Sequence, residues 1–396
     1  MRPRVFVTGV GIISAIGNGT GETLASFQNL KTGIGKLSLF DSVHAEIPVA
    51  EVKNNNSDLA RLADVHDGKA AYTRNTLLAL VASKQAVIAS GWIDTHEKHT
   101  GTVFATTVGG MDFNEQYYRS LLENDRYKDL IGVLDSADCT EKIAACFGIR
   151  HHVTTISTAC SSSANAIMLG ARLIRTNRLQ RVLVGGTDSL TKFTLNGFYA
   201  LEILSPTGCR PFDRNRNGLT IGEGAAALVL ESEEVADPKR IICEVSGYAN
   251  VNEAYHATAS TIDGFGAILA MNKALESACL QPSDISYINA HGTGTEINDL
   301  SEGNAIEKVF GNSVPPVSST KAFTGHTLGA AGAIEAVFSS LALRNQILLP
   351  GLNFTVPMPE LSFRPRQKVE PHPIHHVMSN SFGFGGSNTT LIFTKV

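Results

Sequence analysis

The stretch Val153-Thr154-Thr155-Ile156-Ser157-Thr158-Ala159-Cys160-Ser161-Ser162-Ser163-Ala164 is a β-branched run, a Ser/Thr turn and the start of a small-residue helix that continues to Ala171. The same order returns at Val317-Ser318-Ser319-Thr320, followed by Lys321 and His326 and by a second small-residue helix from Gly329 to Ala336. Helices of small residues suit close approach to a neighbour. One reading is a duplicated unit whose two turns meet at a shared axis, which brings Cys160 beside His326. The other is two unrelated strand–turn–helix units of an ordinary α/β chain.

Working outward, further short apolar runs occur at Val5–Val7, Thr102–Val108, Val182–Val184, Ala225–Leu230, Ile285–Ile288 and Leu391–Phe393. Helical patterns lie between them at Thr73–Ala89, Ala164–Ile174, Ile268–Ala278 and Gly332–Leu343. Strands alternating with helices predict an α/β protein with largely buried sheets. No linker divides the chain. The polar, Pro-containing stretch Glu231–Arg240 is the expected boundary, giving halves 1–240 with the cysteine turn and 241–396 with both histidines.

Hydrophobic residues make up 43% of the 396 and charged residues 18%, the balance of a folded globular chain. A net charge of −4 with no basic stretch argues against a nucleic-acid binder. The six cysteines form no Cys-x-x-Cys pair, and a disulfide framework does not suit a chain this large. The apolar start at Val5–Val7 is too short for a signal peptide, and no run approaches the ~20 apolar residues of a membrane span. The expectation is a cytoplasmic, reducing location.

Cys160 sits where a strand gives way to a helix. The free amides of a helix N-terminus favour negative charge, so the sequence predicts a depressed thiol pKa and a place for an oxyanion. His291, in Asn289-Ala290-His291-Gly292-Thr293-Gly294-Thr295, follows a strand and can project into a cleft floored by backbone. The Thr293 and Thr295 hydroxyls suit an amide-bearing ligand. His326 occupies a similar Gly/Thr loop just before a helix. Lys321 is placed to orient one histidine or hold it neutral, and Glu335 to pair with Lys321, although a surface lysine and a solvated carboxylate read the same way. Gly383-Phe384-Gly385-Gly386 reads as a glycine-rich turn before the last strand, in which Phe384 either swings as a gate or packs as an aromatic in an ordinary hairpin. Gly9-Val10-Gly11 lacks the third glycine of a dinucleotide fingerprint, and Gly17–Glu22 lacks the lysine of a phosphate loop. His372, His375 and His376 read as a Pro-rich surface segment, and no metal is expected.

Taken in order, the Thr-Ala-Cys-Ser-Ser-Ser turn, Arg210-Pro211-Phe212-Asp213, Gly222-Glu223-Gly224-Ala225-Ala226, the Asn-Ala-His-Gly-Thr-Gly-Thr loop and Lys321-x4-His326-x-Leu328-Gly329 resemble one family. That family is the elongating β-ketoacyl-acyl-carrier-protein synthases of fatty-acid and type II polyketide assembly. The resemblance runs from Arg4–Gly11 to Gly383–Gly386. It implies a thiolase-like fold, two pseudo-symmetric halves in α-β-α-β-α layers, and a homodimer, with a heterodimer of related subunits as the alternative. It implies that Cys160 is acylated from the phosphopantetheine arm of an acyl carrier protein, that malonyl-carrier protein then loses CO₂, and that the resulting enolate attacks the Cys160 thioester. No cofactor of the enzyme's own is implied, because the phosphopantetheine arrives on the carrier.

By motif match, the amides of Cys160 and Phe384 resemble the oxyanion hole, and His291 and His326 the decarboxylating pair. Lys321, supported by Glu335, matches the lysine that holds them. Asp299 and Glu302 resemble structural acids; Thr293, Thr295, Thr258 and Phe382 resemble pantetheine and acyl contacts. Met111 and Asn114 fall where the family lines its acyl pocket, and Asp112 with Asn114 suggests a more polar pocket, an altered chain or only a shifted alignment. The Ser161-Ser162-Ser163 run after the cysteine resembles polyketide-type synthases, which makes a specialised polyketide or polyene synthase the alternative. Lys69, Arg74, Arg126, Lys128 and Arg210 are candidates for docking an acidic carrier. A non-catalytic chain-length partner would lack Cys160, a thiolase would need a second cysteine near Phe382–Gly386, an initiating synthase would pair Cys with His and Asn, and a cysteine hydrolase would not explain Lys321 with His326.

Overall fold

The computed structural model describes residues 3–65, 72–92, 99–123 and 131–396. The first half runs β1 (Val5–Ser14), α1 (Arg74–Ser90), β2 (Thr100–Ala105), α2 (Met111–Glu123), α3 (Ser136–Phe147), β3 (Val153–Ile156), α4 (Ser162–Arg175), β4 (Arg181–Asp188), α5 (Lys192–Ala200) and β5 (Gly224–Ser232). The second runs β6 (Cys243–Asn252), α6 (Phe265–Ala278), β7 (Tyr287–Asn289), α7 (Glu296–Phe310), β8 (Val317–Ser318), α8 (Ala331–Asn345), β9 (His376–Gly383) and β10 (Ser387–Thr394).

The sheet order is β8-β7-β9-β10-β6-β1-β5-β4-β2-β3. In the first half, β2 is parallel to β3 and β4, and β5 is antiparallel to β4 and β1. In the second, β7 is parallel to β8 and β9, and β10 is antiparallel to β9 and β6. Strand order and direction therefore repeat, and the halves join where Phe6 and Val7 of β1 pair with Glu244 and Cys243 of β6. The duplicated reading of the two strand–turn–helix units is the correct one. Glu231 and Ser232 lie inside β5, so the junction starts later than the expected Glu231.

Packing gives the layers. α1 and α3 cover one face of the first half-sheet, and α6 and α7 cover one face of the second. α4 and α8 lie between the half-sheets, in a core that takes residues from both. Strands covered on both faces must be apolar throughout, which is why Ala225–Leu230 reads as a continuous run without alternation. The α4–α8 contact depends on small residues. A Cβ on Gly332 would stand 2.6 Å from the Ala164 amide nitrogen, and α4 sits as tightly on β4, where a Cβ on Gly186 would stand 2.5 Å from Ser163 Cβ. This thiolase-like arrangement places the β3–α4 turn and the β8–α8 connection against each other, with the loop after β7 alongside.

Candidate active site

Between β3 and α4 the chain turns through Ala159, a non-glycine residue held at φ 52°. This left-handed geometry is locked by the turn's own hydroxyls. Ser162 Oγ accepts from the Thr158 amide at 2.7 Å and donates to the Ala159 carbonyl at 2.6 Å, while Asn165 Nδ2 donates to Thr158 Oγ1 at 2.9 Å. Cys160 follows, 7% exposed, with the backbone amides of Phe384 and of Cys160 itself directed at Sγ. The expected depression of its pKa is not found. Burial pushes the thiol up to about 11, outweighing the two amides and the Lys321 charge. At neutral pH Sγ carries its proton and must release it to react.

Glu302 on α7 fixes the loop after β7, accepting from the His291 amide at 2.8 Å, the Gly292 amide at 2.7 Å and Asn380 Nδ2 at 3.2 Å. Asp299, one turn earlier, accepts from the Phe212 amide at 2.6 Å and the Gly294 amide at 3.1 Å. Both acids are fully buried and act as loop clamps. The His326 amide donates to the Thr220 carbonyl at 2.6 Å, and the His326 carbonyl accepts from the Gly222 amide at 2.9 Å. The neighbouring Glu223 anchors that segment through a buried ion pair, 2.6 Å long, with Arg74. Arg74 is therefore not a docking residue: it is 5% exposed and spends its guanidinium on Glu223 and on the carbonyls of Val52 and Asn54.

Cys160, His291 and His326 converge, with a ligand atom of each lying within 4.8 Å of the others. The imidazoles meet edge to face, centroids 5.2 Å apart. Lys321, 1% exposed, pairs with Glu335 and places Nζ 3.2 Å from His291 Nδ1. An ammonium donates, so Nδ1 accepts and the His291 proton sits on Nε2, free to donate to a substrate oxygen. Burial first, then the Lys321 charge, holds both histidines well below the ordinary 6.5. The same charge opposes a cation beside them, so the trio suits a developing oxyanion better than a metal.

This predicts a pH dependence. Catalysis by neutral imidazoles should stay level from pH 8 down past their ordinary value of about 6.5 and fall only where the depressed groups protonate. The stability contribution has the same sign. Below 6.5 the unfolded histidines bind protons first, so it is lost as pH falls. A pH profile of kcat/KM checks the first statement, and a bell whose acid limb centres on 6.5 or above contradicts it.

A cavity of 430 Å³ opens onto Cys160, His291 and His326 and is lined by Thr293, Thr295, Thr258 and Phe382. Thr293 Oγ1 and Thr295 Oγ1 lie 3.0 Å apart at its wall. A second cavity of 240 Å³, on the other side of Cys160, is lined by Thr107, Val108, Met111, Phe193, Phe198 and Leu328. Phe384 borders both cavities and stacks on Phe198 with centroids 6.2 Å apart, which is where a gate between them belongs. Asn114 and Asp112 are not among the lining residues, so the expected polar pocket is corrected. The Asn114 amide turns to Met111 Sδ at 3.8 Å, and Asp112 accepts from the Arg74 amide at 2.8 Å, capping α1. Lys69, Arg126 and Lys128 lie outside the described residues, and Arg210 is half-buried.

Gly383 adjoins the amides behind Sγ. A Cβ there would come within 3.1 Å of the Cys160 nitrogen and 3.3 Å of the Ser161 nitrogen. Gly383→Ala is expected to slow acylation of Cys160 by about tenfold or more without loss of fold, since a single displaced oxyanion donor has effects of that size or larger. Rapid-quench acylation followed by mass spectrometry measures it, and an unchanged rate counts against these amides as oxyanion donors. Asp188 escaped the sequence reading. Its signal was the Thr-Asp at the end of an otherwise apolar strand.

Residues 2–236 match the β-ketoacyl synthase N-terminal domain and residues 242–355 its C-terminal domain. The chain is 34% identical to the 3-oxoacyl-[acyl-carrier-protein] synthase 2 of Staphylococcus aureus (strain COL), over 99% of this chain and 98% of that one. It is 33% identical to a putative polyketide beta-ketoacyl synthase 1 of Streptomyces halstedii, over 100% and 98%. Among solved structures, the ishigamide ketosynthase/chain length factor superposes with a TM-score of 0.92 at 29% identity, covering 100% of both chains.

Proposed function

Because this chain belongs to the β-ketoacyl synthase family and is a β-ketoacyl-acyl-carrier-protein synthase, we propose that Cys160 holds the growing acyl group while His291 and His326 make the carbanion that attacks it. The observation that carries the proposal is the meeting of one buried thiol and two neutral imidazoles beside a buried ammonium.

In the first half-reaction the Cys160 sulfur attacks the acyl-phosphopantetheine thioester. The thiol proton passes to a neighbouring imidazole and then to the departing pantetheine thiolate. The carbonyl oxygen, negative in the tetrahedral intermediate, is held by the amides of Cys160 and Phe384. The chain enters the 240 Å³ cavity past Phe384. In the second, malonyl-phosphopantetheine enters the 430 Å³ cavity with its amides against Thr293 and Thr295. Its carboxylate leaves as CO₂, and the electron pair moves onto the thioester as an enolate whose oxygen takes the hydrogen bond from His291 Nε2 and one from His326. The enolate carbon bonds to the acyl carbon, the Cys160–acyl bond breaks, and the departing thiolate takes up one proton from solvent to return the thiol. Decarboxylation generates the carbanion without a strong base, so neutral donors suffice.

The substrates are delivered by an acyl carrier protein, the phosphopantetheine comes with the carrier, and the enzyme acts as a homodimer in fatty-acid elongation. A specialised polyketide or polyene role is the second reading, favoured by the Ser161–Ser163 run after the nucleophile and by the likeness to the putative polyketide beta-ketoacyl synthase 1 of Streptomyces halstedii. The test is incubation with acyl- and radiolabelled malonyl-carrier protein. CO₂ release with a product two carbons longer supports the proposal, and free acid without elongation sinks it. Repeated condensation on an unreduced or unsaturated chain selects the second reading.

A further inference from the structure

At the end of β4 the Asp188 carboxylate, fully buried, gathers donors from segments far apart in sequence. Oδ1 accepts from Thr106 Oγ1 at 2.7 Å, the Thr107 amide at 2.8 Å and the Val108 amide at 2.9 Å. Oδ2 accepts from Thr107 Oγ1 at 2.5 Å and the Gly329 amide at 2.6 Å. Every contact is a donor to the carboxylate, so all its acceptor capacity is directed at two loops. Thr107 and Val108 form part of the wall of the 240 Å³ cavity. Gly329 is three residues beyond His326 and one beyond Leu328, which lines the same cavity at the strained φ of 51°.

We infer that Asp188 is a positioning residue that ties the wall of the acyl cavity to the His326 loop, so that a chain seated in the cavity speeds decarboxylation of the malonyl group. The inference takes the assigned roles of Cys160 and His326 as its premise. An acyl chain presses on Thr107, Val108 and Leu328 at once, and the carboxylate is the hydrogen-bonding link between the wall and the backbone that carries His326. An empty cavity leaves that wall unsupported. Coupling of this kind requires that cavity filling and imidazole placement bias one and the same arrangement, which a carboxylate shared by both segments provides.

Asp188→Asn separates this role from simple support. Asparagine keeps the shape but offers one acceptor oxygen, and its NH₂ faces the Gly329 amide, which is also a donor. The enzyme is loaded on Cys160 with acetyl or with octanoyl, the longer chain chosen because 240 Å³ holds about eight groups the size of a water at ~30 Å³ each. First-turnover CO₂ release from malonyl-carrier protein is then timed, with loading verified by mass spectrometry. Wild type should release CO₂ about fivefold or more faster with octanoyl than with acetyl, the lower end of ordinary coupling. In Asp188→Asn that ratio should fall close to unity with loading unchanged. A milder variant, Thr107→Val, removes one hydroxyl donor and should give an intermediate ratio, which decides the matter where Asp188→Asn fails to fold. An unchanged ratio in whichever variant folds, or no preference for octanoyl in wild type, overturns the inference. Wild type that releases no CO₂ with either chain overturns the proposed function instead.

Discussion

Cys160→Ala should abolish elongation while leaving malonyl decarboxylation in place. Without Sγ there is no acceptor for the acyl group, and loss of a covalent nucleophile commonly costs about three orders of magnitude or more in turnover. The imidazoles and Lys321 are untouched, and the freed volume at Sγ is small, so the loops that hold His291 and His326 keep their clamps on Glu302 and on Thr220–Gly222. The expected result is therefore uncoupled chemistry: labelled malonyl-carrier protein loses CO₂, and acetyl-carrier protein accumulates. Elongation and CO₂ release are measured side by side. Retention of full elongation in this variant removes the thioester intermediate from the mechanism, and simultaneous loss of both reactions in a folded protein means the histidines do not act as assigned.

Lys321→Met carries the second large effect, on both folding and catalysis. Lys321 and Glu335 are both almost fully enclosed, and Glu335 Oε2 has no partner among the described residues. Removing the ammonium strands a carboxyl already raised by burial, and breaking a buried pair from one side costs about 3–5 kcal/mol. Replacing both, as Lys321→Met with Glu335→Leu, should restore much of that loss because no charge is left without a partner. Activity should not return with stability. The donor that fixes the His291 tautomer is gone in both variants, and with it the positive charge beside the enolate. Denaturant midpoints and CO₂ release on the single and double variants separate the two effects. A double variant that decarboxylates like wild type shows that Lys321 serves folding alone.

The fold was readable because its chemistry is local. The β3–α4 and β8–α8 units announce themselves by β-branched runs, hydroxyl-rich turns and small-residue helices, and those features are what the packing of α4 on α8 uses. The site residues were readable because Gly/Thr loops and the helix start mark places where side chains meet a cleft. What failed depended on partners distant in sequence. Arg74 looks like any basic residue at a helix start; only the fold brings Glu223, 149 positions away, against it. The pKa of Cys160 was expected to fall because helix amides are visible in a sequence, whereas the burial that outweighs them is not. Asp112 and Asn114 share α2 with Met111, but the helix turns them away from the cavity. The strand expected over Thr102–Val108 stops at Ala105 because Thr106, Thr107 and Val108 curl around Asp188, a residue 82 positions beyond Thr106.

The seam where Gly332 abuts Ala164 leaves no slack for independent drift of the two repeats. An extra methyl on one helix has nowhere to go unless its opposite number shrinks, so changes there must arrive in matched pairs. The clamps and loops differ from one half to the other, yet along this line each helix sets the volume the other is allowed to fill.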